Sequence, residues 1–288
     1  MYRRLMSMLV VFAMVAFIAV PAMAGTNWDG TGDWTDDAAA NWNTGAVPPN
    51  AGSGTVNIRS GTAGVDTETL SFGSFFLGHA GGNPANPGDA TLNMTGGTMS
   101  VNGEWTGHAE NSGNVAINLS NNADMDVSGV LNMMYYGGIA NSPTYVNSTS
   151  TISLSDNATL DVASTMRFGA GTGVGGGEAP TNSFHVQLDG GVLTVNNMTT
   201  GAGNATTRTM DLAGGTLVVA GDFTIPGAIV VSGFGANAGG GEGVAYNKSF
   251  DGSFSSFTGV PEPTTLTLLG LGGFAAFLAS GRRQRRRR

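Results

Sequence analysis

The sequence predicts an all-β fold, a right-handed parallel β-helix (β-solenoid) of five to six coils, and three observations predict it. Glycine supplies 47 of 288 residues, about twice its average usage, while Lys, Arg and Glu are scarce and Asn, Ser and Thr abundant, which favours turns and short strands over helices. Five segments share one pattern of two alternating strands joined by a polar turn, at residues 92–101, 117–127, 152–162, 186–195 and 210–219. After each pair comes a third short segment, at 104–106, 131–136, 165–168, 197–199 and 222–225, and then a glycine-rich loop. The segment starts lie 25, 35, 34 and 24 residues apart, a unit of about 24 with insertions of about ten, and such self-similarity is the mark of stacked coils.

In a coil of this kind alternate apolar residues such as Ile152, Leu154, Leu160 and Val162 point inward and stack on their counterparts one rung away, at about 4.8 Å. Val56, Asn57 and Ile58 open an earlier, more irregular coil that includes Phe75, Phe76 and Leu77; Ile229, Val230 and Val231 open a last partial one. An antiparallel β-sandwich is the competing architecture, because alternation and turn spacing are common to both.

Taken from the N-terminus, the chain divides into a signal peptide (1–24), a Trp-rich cap (25–50), the repeats (51–235), a Gly-rich linker (236–259) and a sorting or anchor segment (260–288). Arg3 and Arg4 precede an apolar run over 9–20, and Ala22, Met23 and Ala24 place small residues where a signal peptidase needs them, so cleavage is expected between Ala24 and Gly25. Trp28, Trp34 and Trp42 lie among Asp, Asn and Gly; they read as a cover packed on the first coil or, alternatively, as a platform stacking on sugar rings. The span 236–256 lacks periodicity and reads as a tether.

At the far end Val260, Pro261, Glu262 and Pro263 are followed by a mostly apolar stretch over 264–280 and then by Arg282, Arg283, Arg285, Arg286, Arg287 and Arg288. The arginines would stay on the cytoplasmic side while a short apolar helix holds the chain transiently in the membrane. In these residues the chain resembles the PEP-CTERM family, which carries a Pro-Glu-Pro motif, a transmembrane stretch and an Arg-rich end. The resemblance implies recognition by an exosortase, removal of the tail near Pro261, Glu262 and Pro263, and delivery to the cell surface or its exopolysaccharide matrix. A permanent anchor is the alternative reading of the same tail. Gly32, Asp33 and Trp34, then Asn41, Trp42 and Asn43, then Gly45 and Pro48, look like the opening of bacterial surface β-solenoids, autotransporter-type passenger repeats among them.

Charge narrows the partners. Between Gly25 and Gly259 lie 19 acidic residues against four basic ones, Arg59, Arg167, Arg208 and Lys248, a net of −15. So acidic a body repels phosphate backbones, which excludes nucleic acid as a partner. Cysteine is absent, so no disulfide framework exists. Neither a cofactor nor a metal is expected: His79 and His108 sit in matching Gly-His-Ala triplets, with Glu110 nearby in sequence, but His185 stands alone and no spacing supplies further ligands. Gly171, Gly173 and Gly176 meet a Gly-x-Gly-x-x-Gly pattern without the helix that phosphate binding needs, and read as a loop.

Asp126 and Asp161 occupy equivalent places in their repeats, so their carboxylates are expected to stack on an outer face. Such a pair is a solvated acidic face, a calcium site or the paired acids of a glycosidase. A lyase also needs bases, and four are spread along the body. The function expected is that of an exported, non-catalytic surface or matrix protein with a structural or adhesive role toward exopolysaccharide. A polysaccharide-degrading β-helix enzyme, lyase or glycoside hydrolase, is the alternative.

Overall fold

The computed structural model describes residues 26–33, 54–78, 89–103, 105–107, 114–133, 149–168, 182–200, 206–233, 242 and 245–260. The architecture is all-β, and among the described residues there is no helix, hence none long and apolar enough to cross a membrane. The expected signal segment and the apolar stretch over 264–280 lie outside the described residues.

Seventeen strands join in one sheet. In chain order they are β1 (Thr26–Asp33), β2 (Thr55–Val65), β3 (Thr69–Phe72), β4 (Ser74–Leu77), β5 (Ala90–Met94), β6 (Thr98–Val101), β7 (Trp105–Gly107), β8 (Asn114–Leu119) and β9 (Asp124–Val127). Then follow β10 (Leu131–Met133), β11 (Thr149–Phe168), β12 (Asn182–Thr200), β13 (Thr206–Asp211), β14 (Thr216–Ala220), β15 (Val230–Ser232), β16 (Tyr246–Phe250) and β17 (Phe254–Gly259).

Strands one repeat apart pair in parallel, and they form three ladders. In the first, Ala63, Leu92, Ile117, Ile152, Val186, Met210 and Val231 are consecutive register partners. In the second, Phe72, Val101, Val127, Val162, Val195 and Val219 are. In the third, Val56, Phe75, Trp105, Leu131, Met166 and Met198 are. The repeat starts read from the sequence are therefore partners in register. These side chains are buried while their sequence neighbours alternate outward, and each fully buried aliphatic or aromatic chain contributes about 1.5–3 kcal/mol of burial. Phe75 stacks on Trp105 at 4.5 Å between ring centres, and Phe168 meets Phe184 edge-on at 4.6 Å. A sandwich would need antiparallel ladders; among the described residues antiparallel pairing involves β17 alone, with β14 and β16.

The polar turns between the first and second ladders also stack. Asn121 and Asp156 hold left-handed φ values of 55° and 59°, a region that Asn and Asp tolerate best among residues with a side chain. The Asn157 N–H donates to the Asn121 carbonyl at 2.9 Å, and the Asn121 N–H to the Asp156 carboxylate at 3.2 Å. One rung on, Gly190 has φ +149°, and a Cβ there would lie 2.6 Å from the Asp156 nitrogen, so close stacking demands glycine.

Three expectations change. The region 25–50, read as a cap, contributes β1, whose Trp28 pairs with Ile58 and whose Gly30 pairs with Gly61, so the first and third ladders begin a rung earlier and exceed six levels, while the second keeps six. Residues 222–225, read as a third strand, form none. The span 236–259, read as a free tether, contains a hairpin: β17 pairs antiparallel with both β14 and β16, and buries Phe257 against Tyr246 at 5.6 Å and Phe223 at 6.5 Å. One buried ring repeated nowhere else leaves no periodic signal, yet it covers the end of the second ladder.

Candidate binding groove on the second ladder

Four repeats end their second strand on a polar residue, a buried valine and a second small or polar residue. Ser100, Val101 and Asn102 do so, as do Asp126, Val127 and Ser128, then Asp161, Val162 and Ala163, then Thr194, Val195 and Asn196. Alternation turns each valine into the core and the flanking side chains outward. Parallel register aligns them as rows: Ser100, Asp126, Asp161 and Thr194 are consecutive partners. The result is an open groove of about 420 Å³ across four rungs, with the ring of Phe254 lining it. Phe254 is 41 % exposed, so part of its ring is open to solvent at the groove.

The groove is electronegative. Burial, then repulsion from Asp124, then from Asp161, raises the Asp126 carboxyl above its ordinary value. Asp124 accepts a hydrogen bond from the Thr159 hydroxyl on the next strand. None of the four body cations lines the groove: Arg208 donates to the Phe168 carbonyl at 2.9 Å, Arg167 to Asn132 at 3.4 Å, and Lys248 pairs with Asp222 at 2.5 Å, while Arg59 lies on β2. Carboxylates, amides and hydroxyls with a half-exposed ring can hydrogen-bond and stack on a hydroxylated ligand; the same surface opposes an anionic one.

On the first ladder the Asn118 amide donates to Asn93 at 2.7 Å, and His185 Nδ1 lies 2.6 Å from the Thr209 hydroxyl. These are contacts between rungs. Among the described residues no group of three or more His, Cys, Asp or Glu is placed to hold a metal. Trp28 lies on β1, next to Asp29 at an irregularity in the register. Trp34, Trp42, His79, His108, Glu110, the 171–176 loop, Ala22, Ala24 and Gly25 lie outside the described residues, as do Pro261, Glu262, Pro263 and Arg282, Arg283, Arg285, Arg286, Arg287 and Arg288. Val260 is described, and its N–H donates to the Ala245 carbonyl at 3.0 Å.

Asp126 and Asp161 are brought together as the sequence predicts. Asn102, Asn196 and Thr194 were missed, although the polar-valine-polar recurrence was there to find them; Phe254 carried no such signal, since it arrives from the antiparallel hairpin.

The described part of the chain is all-β, and an export signature follows it in sequence. The family model described as the PEP-CTERM protein-sorting motif matches residues 259–287. The motif implies processing by an exosortase-type enzyme and export to the cell envelope or surface. No curated protein and no solved structure matches the chain.

Proposed function

We propose that the chain is a non-catalytic surface or matrix protein whose three parallel ladders wind as a right-handed β-solenoid, serving as a spacer and as an adhesive module for exopolysaccharide. The groove on the second ladder carries this reading. Its four rungs extend over about 14 Å of strand stacking, room for a short run of sugar units lying along the ladder. Asp126 and Asp161 accept hydrogen bonds from sugar hydroxyls, Asn102 and Asn196 serve as donors and acceptors, and Phe254 offers a ring face. Without a cation in the lining, uronate or sulfate chains are repelled, so the favoured ligand is neutral or amine-bearing.

The test is retention of the protein, purified from its native cells, on immobilised neutral glucan, amino-sugar polymer and alginate, with product ends assayed in parallel. Retention on either of the first two, absent on alginate and weakened by Phe254→Ala, is expected. Preferential retention on alginate would sink the assignment.

A glycoside hydrolase is the second reading, favoured by one observation: two carboxylates in register, one with its pKa raised, is the pattern of an acid and a base sharing a site. New product ends that disappear in Asp126→Asn or Asp161→Asn would establish it in place of adhesion.

A further inference from the structure

The strand that leads into the sorting motif is a central one, flanked on both sides. Phe257 of β17 pairs with Leu217 of β14 and with Lys248 of β16, and pairing with β16 continues to Gly259 opposite Tyr246. One residue further, the Val260 N–H donates to the Ala245 carbonyl. Backbones cross closely there. A Cβ on Gly259 would lie 1.9 Å from the Leu212 oxygen, and a Cβ on Gly233 would lie 2.3 Å from the Ala245 oxygen and 2.9 Å from the Val260 nitrogen. Leu212, Ala245 and Phe257 are fully buried around this crossing. The matched motif begins at residue 259, so its first two residues belong to the folded end, and Pro261 follows the hydrogen-bonded Val260 directly in sequence.

Proteases and transpeptidases commonly take their substrate as an extended chain through main-chain hydrogen bonds. The strand pairing and the Val260 donor already commit backbone groups at the junction to the fold. We propose that the hairpin of β16 and β17 gates exosortase processing: the tail is removed only while Gly259 and Val260 are released from β16 and Ala245, either before the hairpin closes during export or during its local opening. This rests on the exosortase reading of the tail. In the gated step the acyl carbon on the body side of the cleaved peptide bond passes to water or an acceptor amine, and the tail leaves with the nitrogen and a proton. Local opening of this kind is set by the free energy of a few backbone contacts and not by unfolding of the whole ladder.

The experiment is a pulse-chase of the full chain in its native cells, following loss of the arginine tail by intact mass. The variant of choice inserts about six Gly and Ser residues between Val260 and Pro261, a flexible spacer that leaves the hairpin untouched. Processing of the spacer variant should be about tenfold faster, the factor expected when one or two main-chain hydrogen bonds no longer need to open. Gly259→Ala, which forces the crossing apart, should accelerate processing in the native sequence and add nothing in the spacer background. Equal half-times with and without the spacer would overturn the gate while leaving the sorting reading intact. Retention of the tail in every variant would overturn both.

Discussion

Replacing Asp161 with Asn should stabilise the protein. Asp126 and Asp161 are direct partners on adjacent parallel strands, and both are exposed. Partners in this position place their carboxylates about 5 Å apart. Two unit charges at that distance repel by about 0.8 kcal/mol in a water-like dielectric and about 3 kcal/mol at an effective dielectric of 20; exposure selects the lower figure, about 0.5–1 kcal/mol at low salt. Asparagine keeps the shape of the side chain and adds an amide donor toward Asp126. For a domain of this size the gain corresponds to a rise in Tm of about 2–4 °C per kcal/mol. Because the Asp126 carboxyl is raised above the ordinary 3.8, the native state holds its proton more tightly than the unfolded chain. This group's contribution to stability therefore grows as pH falls into the window just above 3.8 and is lost as pH rises through the folded pKa. Asp161→Asn should reduce that slope only in part, because burial and then Asp124 are the larger causes of the shift. The assay is thermal unfolding at pH 7 and near pH 3, in low salt and in 1 M salt, where screening acts over about 3 Å. A gain that persists in 1 M salt or near pH 3, or no gain in low salt at pH 7, would refute the electrostatic account of the groove.

Three other outcomes follow from the packing. Gly190→Ala places a Cβ 2.6 Å from the Asp156 nitrogen at φ +149° and should cost at least about 2 kcal/mol, read from the denaturant midpoint; a change within 0.5 kcal/mol, the usual range for a surface site, would show that the turn stack is not tight. Trp105→Ala should cost about 3–5 kcal/mol, whereas Trp105→Phe keeps a ring on Phe75, removes an indole N–H that has no hydrogen-bond partner among the described residues, and should cost less than about 1.5 kcal/mol; equal costs would contradict this division. The Ser253 and Phe254 N–H groups donate to the Asp251 carboxylate at 2.8 Å, with Phe254 the larger influence, and hold its pKa below the ordinary 3.8. A depressed carboxylate stabilises above the unfolded value and loses that contribution as pH falls through the folded one, so amide exchange in the hairpin, corrected for its intrinsic pH dependence, should accelerate in acid, and Asp251→Ala should abolish that acceleration.

The ladders were legible because their physics repeats. A buried column that runs Leu92, Ile117, Ile152, Val186, Met210 writes itself into the sequence every time the chain comes round, and slipping any strand by one residue would turn its apolar set to solvent. Asp126 and Asp161 were found by the same offset. What does not repeat stayed hidden. Strand β1 holds Asp29, Gly30, Gly32 and Asp33, residue types depleted in strands, and is made a strand by pairing with β2. Asn247, Lys248 and Ser249 of β16 show no apolar face, and the hairpin they begin owes its place to Phe257 packing on Tyr246 and Phe223. Phe254 therefore reached the groove by a tertiary contact that spacing in the repeats does not encode.

The turns from the first ladder to the second, and from the second to the third, are short and hydrogen-bonded from rung to rung, whereas the segments of unequal length, residues 79–88, 108–113, 134–148, 169–181 and 201–205, all join the third ladder back to the first. Length variation among these connections thus falls, in sequence, between the third ladder and the first. Closing a longer loop costs only about 0.6 kcal/mol for each doubling, and no ladder pairing has to shift to accommodate it. Those connections are ready places for grafting: the strand ends that flank successive insertions lie one rung, or about 4.8 Å, apart, on ladders that keep their order. A lineage carrying this chain could diversify these connecting sequences without redesigning the ladders they join.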